Sequence, residues 1–186
     1  MAELLRRGHH VTAIARHPEK IASEPNVVSR KGDVFDKTGL AALLRGHDAV
    51  VSAVRFTQSA PKHLTEAVKD SGVKRYFVVG GAGSLEVAPG VKLIDTPQFP
   101  AAHKAEAAKG GEFLDLLRQE TALDWTFLSP SAMVGPGERT GKFRLGKDQL
   151  LTNDKGSSIS WEDYAIAAVD ELEKPGHIRQ RFTIGY

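Results

Sequence analysis

A glycine-rich segment offers the clearest chemical signal in this sequence. Residues 80–84 read Gly-Gly-Ala-Gly-Ser and directly follow the apolar run at 75–79. Glycine lets backbone amides approach a ligand closely, and a serine hydroxyl can donate a hydrogen bond. We therefore predict a binding loop in which Gly80 and Gly81 contact a cofactor and Ser84 donates a hydrogen bond to the reacting groups. A simple sharp turn is the alternative interpretation.

Candidate acids, bases and nucleophiles are few. His103 carries an imidazole, the side chain that most often transfers protons in enzymes, although a lone loop histidine is more often exposed and without a role. Cysteine is absent, which excludes thiol nucleophiles, disulfides and thiolate metal sites. His9 and His10 are adjacent on a predicted strand and would point to opposite faces, so we expect no metal. Either His103 supplies a proton or the reaction needs no protein acid.

The composition is that of one ordinary globular domain. The chain has 186 residues, 41% of them hydrophobic, and a net charge of only +2. Such a balance attracts neither nucleic acid nor an anionic membrane, so we expect a small-molecule partner. No apolar run is long enough to span a bilayer, and the lack of cysteine fits a reducing compartment. We expect a cytoplasmic protein, and the sequence does not predict its oligomeric state.

Short apolar runs alternate with helical stripes along the whole chain. Strands are predicted at 10–15, 27–33, 48–54, 75–80, 125–128 and 181–184. Helices are predicted up to Gly8, between Asp36 and Gly46, up to Gly72, at about 104–121 and from Ser160 to Leu172. The runs at 48–54 and 75–80 are nearly continuous, as in strands buried on both faces, and 80–100 and 135–147 read as long loops.

Strand and helix alternation of this length predicts an α/β fold with a doubly wound parallel sheet. We predict a single domain over 1–186, with a small substrate region at about 130–186. In such sheets ligands bind at the carboxyl ends of the strands, so the residues that follow each strand are the candidates for binding.

Arg16 and His17 follow the first of these strands. At this position dinucleotide-binding folds carry an acid for the ribose hydroxyls of NAD or a cation for the additional phosphate of NADP. Arg16 therefore predicts NADPH in preference to NADH, with a surface turn as the alternative interpretation. Ala53 and Val54 end the third strand, where small residues would admit a cofactor or simply pack the core.

Three segments, at 49–54, 78–84 and 128–136, resemble the atypical short-chain dehydrogenases/reductases. The likeness covers essentially the whole chain. It is closest to bacterial NAD(P)H-binding proteins known as NADH-flavin reductases, which are relatives of biliverdin-IXβ reductase and of NmrA-like proteins. The resemblance implies a Rossmann-type fold in which Asp33 lies beside the adenine and Pro130 and Ser131 contact the nicotinamide end. For these residues, ordinary strand-ending turns are the alternative.

The same family opens with a strand, a glycine loop and a helix, and residues 3–11 are similar to the end of that helix. The resemblance thus implies that the first strand and its phosphate-binding loop are missing, the strand lying between those at 10–15 and 48–54. Three explanations are open. The reading frame starts upstream of Met1, the chain has been shortened, or the protein is a variant whose two flanking strands pair directly. We favour the first, because losing a central strand exposes two apolar edges.

Many members of the superfamily transfer protons with a Tyr-x-x-x-Lys pair. None of the tyrosines, Tyr76, Tyr164 and Tyr186, has a lysine four residues later. Where close relatives often carry Tyr-Lys, this chain has His103-Lys104. Flavin reduction would tolerate the loss, because hydride goes to the flavin ring and solvent can supply the proton.

The leading hypothesis is an NADPH-dependent reductase acting on flavin or a similar planar acceptor, with NAD(H) as the alternative cofactor. A non-catalytic NADP(H)-sensing regulator of the NmrA-like type and an inactive remnant are the rival hypotheses. A nucleotide-sugar epimerase or dehydratase is disfavoured by the missing tyrosine.

Overall fold

The computed structural model describes residues 1–186. The helices are α1 (Ala2–Arg6), α2 (Lys37–Leu44), α3 (Pro61–Ser71), α4 (Ala101–Arg118) and α5 (Trp161–Glu173). The strands are β1 (Val11–Ala15), β2 (Val27–Lys31), β3 (Ala49–Ser52), β4 (Arg75–Val79), β5 (Glu86–Ala88), β6 (Val91–Lys92), β7 (Asp124–Ser129), β8 (Met133–Gly135), β9 (Arg144–Gly146), β10 (Ser158–Ser160) and β11 (Gln180–Gly185). No helix is both long and apolar enough to cross a membrane.

The main sheet has the strand order β3-β4-β7-β11-β9. The first four strands are parallel, and β9 pairs antiparallel to β11 at the edge. Parallel neighbours require crossover connections, and α3 and α4 supply them between β3, β4 and β7. The Rossmann-like α/β fold predicted from the alternation is confirmed.

Strands β1 and β2 form a separate parallel pair. No hydrogen-bonded ladder joins β1 to β3, so the two strands expected to flank a central strand do not pair directly. A side-chain contact links the two parts, since His47 Nε2 lies 2.8 Å from the hydroxyl of Thr12. Val51 of β3 remains 43% exposed. The expectation that 48–54 is buried on both faces was therefore wrong, because one edge of β3 has no neighbouring strand.

Two apolar layers cover the main sheet. Helices α2, α3 and α4 pack on one face, around the buried side chains Leu44, Leu64, Tyr76, Phe113 and Phe127. Helix α5 covers the other face, over Phe77, Leu128, Tyr164, Phe182 and Ile184, and contacts α1. Helices on both faces explain why β4 and β7 read as continuous apolar runs.

Most helix ends follow the predicted signals. Asp36 caps α2 by accepting the amide of Gly39, and Ser160 caps α5 by accepting the amide of Asp163. Helix α4 begins three residues earlier than predicted, directly after Pro100, which is its N-cap residue. The long loops predicted at 80–100 and 135–147 contain the short strands β5, β6 and β9, because their backbone groups pair locally or with β11.

A buried ion pair closes the amino edge of the sheet. Arg75 at the start of β4 lies 3.2 Å from the carboxylate of Glu171 on α5, and their side chains are only 11% and 5% exposed. Arg75 also donates to the hydroxyl of Thr126 at 2.7 Å. His177 donates its amide to Glu171 at 2.9 Å, and its Nδ1 lies 2.8 Å from the carboxylate. Burial raises the pKa of Glu171, but the bonds from His177 and Gly176 outweigh it and hold that pKa below its ordinary value.

We expect Glu171→Ala to destabilise the protein by about 3 kcal/mol, because it leaves the buried Arg75 guanidinium without its counter-charge. The pKa of Glu171 is lower in the folded state than in the unfolded state. Its contribution to the free energy of unfolding is therefore fully present at pH values above the unfolded-state pKa, and it declines as the pH falls through the folded-state pKa. Urea denaturation at neutral and acidic pH measures both effects. Glu112→Ala, which removes an exposed pair with Lys109, should cost well under 1 kcal/mol. An equally small cost for Glu171→Ala would contradict the role assigned to the pair.

Candidate functional site at the carboxyl edge

Parallel pairing brings the candidate residues of the main sheet to one edge. Ser52 of β3 is in register with Val78, and Val79 of β4 is in register with Leu128 of β7. The segments that follow these strands, including Ala53, Gly80 and Pro130, therefore emerge side by side. This edge is where open α/β sheets bind ligands. The alignment that sequence patterns predicted is present in the structure.

Close packing, rather than a left-handed turn, explains the glycines that follow β4. None of Gly80, Gly81 and Gly83 has a positive φ angle. A Cβ on Gly80 would lie 2.3 Å from the Phe127 ring and 2.6 Å from the Leu128 carbonyl oxygen, and one on Gly83 would lie 2.6 Å from Cβ of Ala107. The loop is therefore held tightly against β7 and α4.

Ser84 points away from the strand ends. Its hydroxyl accepts a hydrogen bond from the Arg181 guanidinium at 2.9 Å, and Arg181 also donates to Asp148 at 2.8 Å. These residues line a polar cavity of about 220 Å³ beside Gly111 of α4. The hydroxyl of Ser84 accepts from Arg181 and keeps its own proton, so its donation to the reacting groups stays a prediction.

His103 lies in the first turn of α4, exposed to solvent. Its backbone amide donates to Pro100, and its imidazole makes no hydrogen bond or ion pair within the protein. His103 and Gly111, which adjoins Ser84, are separated by about 12 Å along the helix. The structure thus does not bring the two predicted catalytic side chains together.

Arg16 is the unpaired cation at the end of β1. Its guanidinium is exposed and makes no hydrogen bond or ion pair, whereas neighbouring His17 lies 3.1 Å from Glu19. Asp33, after β2, accepts the amide of Phe35 at 3.0 Å, which is the turn geometry considered as its alternative role. A free guanidinium at this position has the chemistry to bind a phosphate.

The residues after β3 and β7 divide into exposed and buried positions. Ala53 is exposed, while Val54 packs partly against the core. Ser131 is buried, and its hydroxyl donates a hydrogen bond to the carbonyl of Ile184 at 2.9 Å. The hydroxyl proton is therefore engaged with β11. Pro130 is half-buried at the strand end. Of this set, Ala53 and Pro130 offer surface to a ligand.

Two residues that sequence reasoning missed organise this edge. Phe56, in a 3₁₀ helix after β3, stacks on Phe127 with ring centres 6.3 Å apart. Glu106 of α4 accepts the backbone amides of Phe56 and Thr57 at 2.6 and 3.0 Å. An aromatic residue four positions after a strand was the available signal for Phe56. Nothing local marks Glu106, because its partners lie about fifty residues earlier in the chain.

The tyrosines have structural roles. Tyr164 is buried on α5 and donates its hydroxyl to the carbonyl of Leu128 at 2.7 Å. Burial raises the pKa of Tyr164 far above its ordinary value. Tyr76 is fully buried under α2 and α3, and Tyr186 donates to Ser160 and Asp163. The hydroxyls of Tyr164 and Tyr186 thus donate within the protein, and the side chain of Tyr76 is enclosed in the core.

Comparison with known proteins agrees with this fold. A family model described as NAD(P)H-binding matches residues 1–175. The chain is 43% identical to YwnB of Bacillus subtilis, over 99% of this chain and 90% of the relative. It therefore belongs to the NAD(P)H-binding family.

Two solved structures are also similar. One, from Bacteroides thetaiotaomicron and named a "putative epimerase", has a TM-score of 0.94 and 44% identity, over 100% of this chain and 89% of that one. Another, from Streptococcus pneumoniae and named a "putative NADH-flavin reductase", has a TM-score of 0.80 and 39% identity, over 99% and 90%. The fold is thus shared by proteins that carry different activity names.

We expect Gly80→Ala to destabilise the protein by about 1–3 kcal/mol, because the added methyl meets a backbone carbonyl that cannot turn aside. Gly135→Ala is the matched control, since a Cβ there has nothing within 4 Å and the φ angle is not positive. Thermal unfolding of both variants makes the comparison. Equal midpoints would show that the contact at Gly80 does not constrain the loop.

Proposed function

We propose that this protein is an NADPH-dependent reductase that passes hydride to a flavin or a similar planar acceptor. The observation that carries the proposal is the exposed, unpaired guanidinium of Arg16 at the end of β1. In a chain of the NAD(P)H-binding family, this is the position that distinguishes the phosphate of NADP from the ribose hydroxyl of NAD.

The residues present fit part of such a cofactor. Arg16 would bind the additional phosphate, with His17 and Asp33 beside the adenosine. Ala53, Val54, Gly80, Gly81 and Pro130 would border the nicotinamide half, whereas Ser131 is buried and bonded to Ile184. The described residues contain no glycine loop leading into the amino end of a helix at this edge, so the pyrophosphate has no such cradle among them. When bound, the cofactor supplies a hydride.

The acceptor is proposed from what the protein side chains can do. Ser84 is held by Arg181, and His103 is exposed with no partner to orient it. An alcohol or ketone substrate needs a positioned acid or base, whereas a flavin ring accepts hydride and can take its proton from solvent. The activity named for the Streptococcus pneumoniae relative agrees with this choice. We further propose one domain whose residues at about 130–186 hold the acceptor.

We expect Arg16→Ala to weaken NADPH binding by about ten- to a hundredfold and to leave NADH binding almost unchanged, because a charge-assisted bond to phosphate is worth roughly 1.5–3 kcal/mol. Calorimetric titration of both cofactors measures this. Arg45→Ala is the control, since Arg45 is also exposed but precedes β3 at the opposite edge. Equal loss for both cofactors, or none, would contradict the proposed role of Arg16.

We expect NADPH oxidation by the protein to require an added flavin. The variant His103→Ala should retain at least about half of this rate, because solvent supplies the proton. Absorbance at the nicotinamide band follows the reaction, with a quinone as a second acceptor. A large loss in His103→Ala would assign the proton to that side chain. NADPH binding without oxidation by either acceptor would favour a sensing protein over a reductase.

A further inference from the structure

The loop after β3 is fixed by one carboxylate from α4. Glu106 Oε1 accepts the amide of Phe56 at 2.6 Å, while Oε2 accepts the amide and the hydroxyl of Thr57 at 3.0 and 2.6 Å. Both carboxylate oxygens are therefore used. The two amides belong to the first two residues of the 3₁₀ helix Phe56–Gln58, whose amino end has no side-chain cap of its own. Glu106 acts as that cap from another element.

The charge state of Glu106 suits this arrangement. Partial burial opposes ionisation, but the bonds from Thr57 and Phe56 and the nearby charge of Arg55 outweigh it. The pKa of Glu106 is consequently held below its ordinary value. The carboxylate is thus ionised at neutral pH, and bonds from amides to an ionised acceptor are stronger than those to a neutral one.

The same loop is attached to the core through Phe56. Its ring stacks on Phe127 and meets Phe113 edge-on, with ring centres 6.0 Å apart in the second pair. A Cβ on Gly110 would lie 2.9 Å from this ring, and one on Gly81 would lie 3.6 Å from it. Phe56 therefore packs against both α4 and the glycine segment after β4, so the position of the loop after β3 is tied to the position of the loop after β4.

These contacts place the loop after β3 directly beside the loop after β4, at the edge where parallel strands end. We propose that Glu106 is a positioning residue for cofactor binding, which holds the loop at 53–58 in the conformation that binds NADPH. This inference rests on the proposed function. Glu106 acts through the loop rather than by touching the cofactor, because its oxygens are occupied by Phe56 and Thr57.

The test compares three variants of the full chain. Glu106→Gln keeps the shape but replaces one acceptor oxygen with a donor, Thr57→Val removes only the hydroxyl bond, and Glu112→Gln changes an exposed carboxylate of the same helix. NADPH affinity is measured by calorimetry. Hydrogen exchange at the amides of Phe56 and Thr57, without cofactor, reports on the loop independently of binding.

We expect Glu106→Gln to weaken NADPH binding by about tenfold and to accelerate exchange at both amides, because charge-assisted bonds are lost. Thr57→Val should show a smaller loss, and Glu112→Gln should match the unchanged protein in both measurements. Faster exchange with unchanged NADPH affinity would overturn the inference, since Glu106 would then have only a structural role. If the unchanged protein binds no NADPH, the proposed function fails and the inference fails with it.

Discussion

The close approach of β4 and β7 at Gly80 is the constraint on which the candidate site depends. The amide of Gly80 donates to the carbonyl of Leu128 at 2.8 Å, and the hydroxyl of Tyr164 reaches the same oxygen from α5. One carbonyl thereby joins two strands and a helix. Because no Cβ fits between Gly80 and Phe127, any other residue would push the following loop off the sheet edge. The position of the segment at 80–84 follows from this contact.

The two edges of the sheet have different physical characters. At the amino edge, Arg75 and Glu171 form a buried ion pair that Thr126 and His177 join through further hydrogen bonds, so this end is closed. At the carboxyl edge, Arg16 and His103 remain exposed and unpaired. A side chain that is already paired inside the protein is not available to a ligand, whereas an exposed, unpaired side chain is. The division is consistent with binding at one edge only.

Much of the fold could be predicted from the sequence, whereas less of the candidate site could be. Caps such as Asp36 and Ser160 act on residues three positions away, so local patterns reveal them. The exposure of Val51 was missed, because burial of a strand depends on which strands lie beside it. The contact of Ser84 with Arg181 could not be foreseen either, since Arg181 lies 97 residues further along the chain.

The sequence by itself determined the alternation of strands and helices, the parallel sheet, and the set of segments that meet at its carboxyl edge, because hydrophobic periodicity and crossover geometry act over short spans. Only the tertiary structure decided which side chains at that edge are free and which are engaged. Arg16 is free, Ser84 and Ser131 are engaged, and Glu106 caps a loop that precedes it by about fifty residues. The reason is that hydrogen-bond partners are chosen by distance in space, which packing sets after the elements have formed.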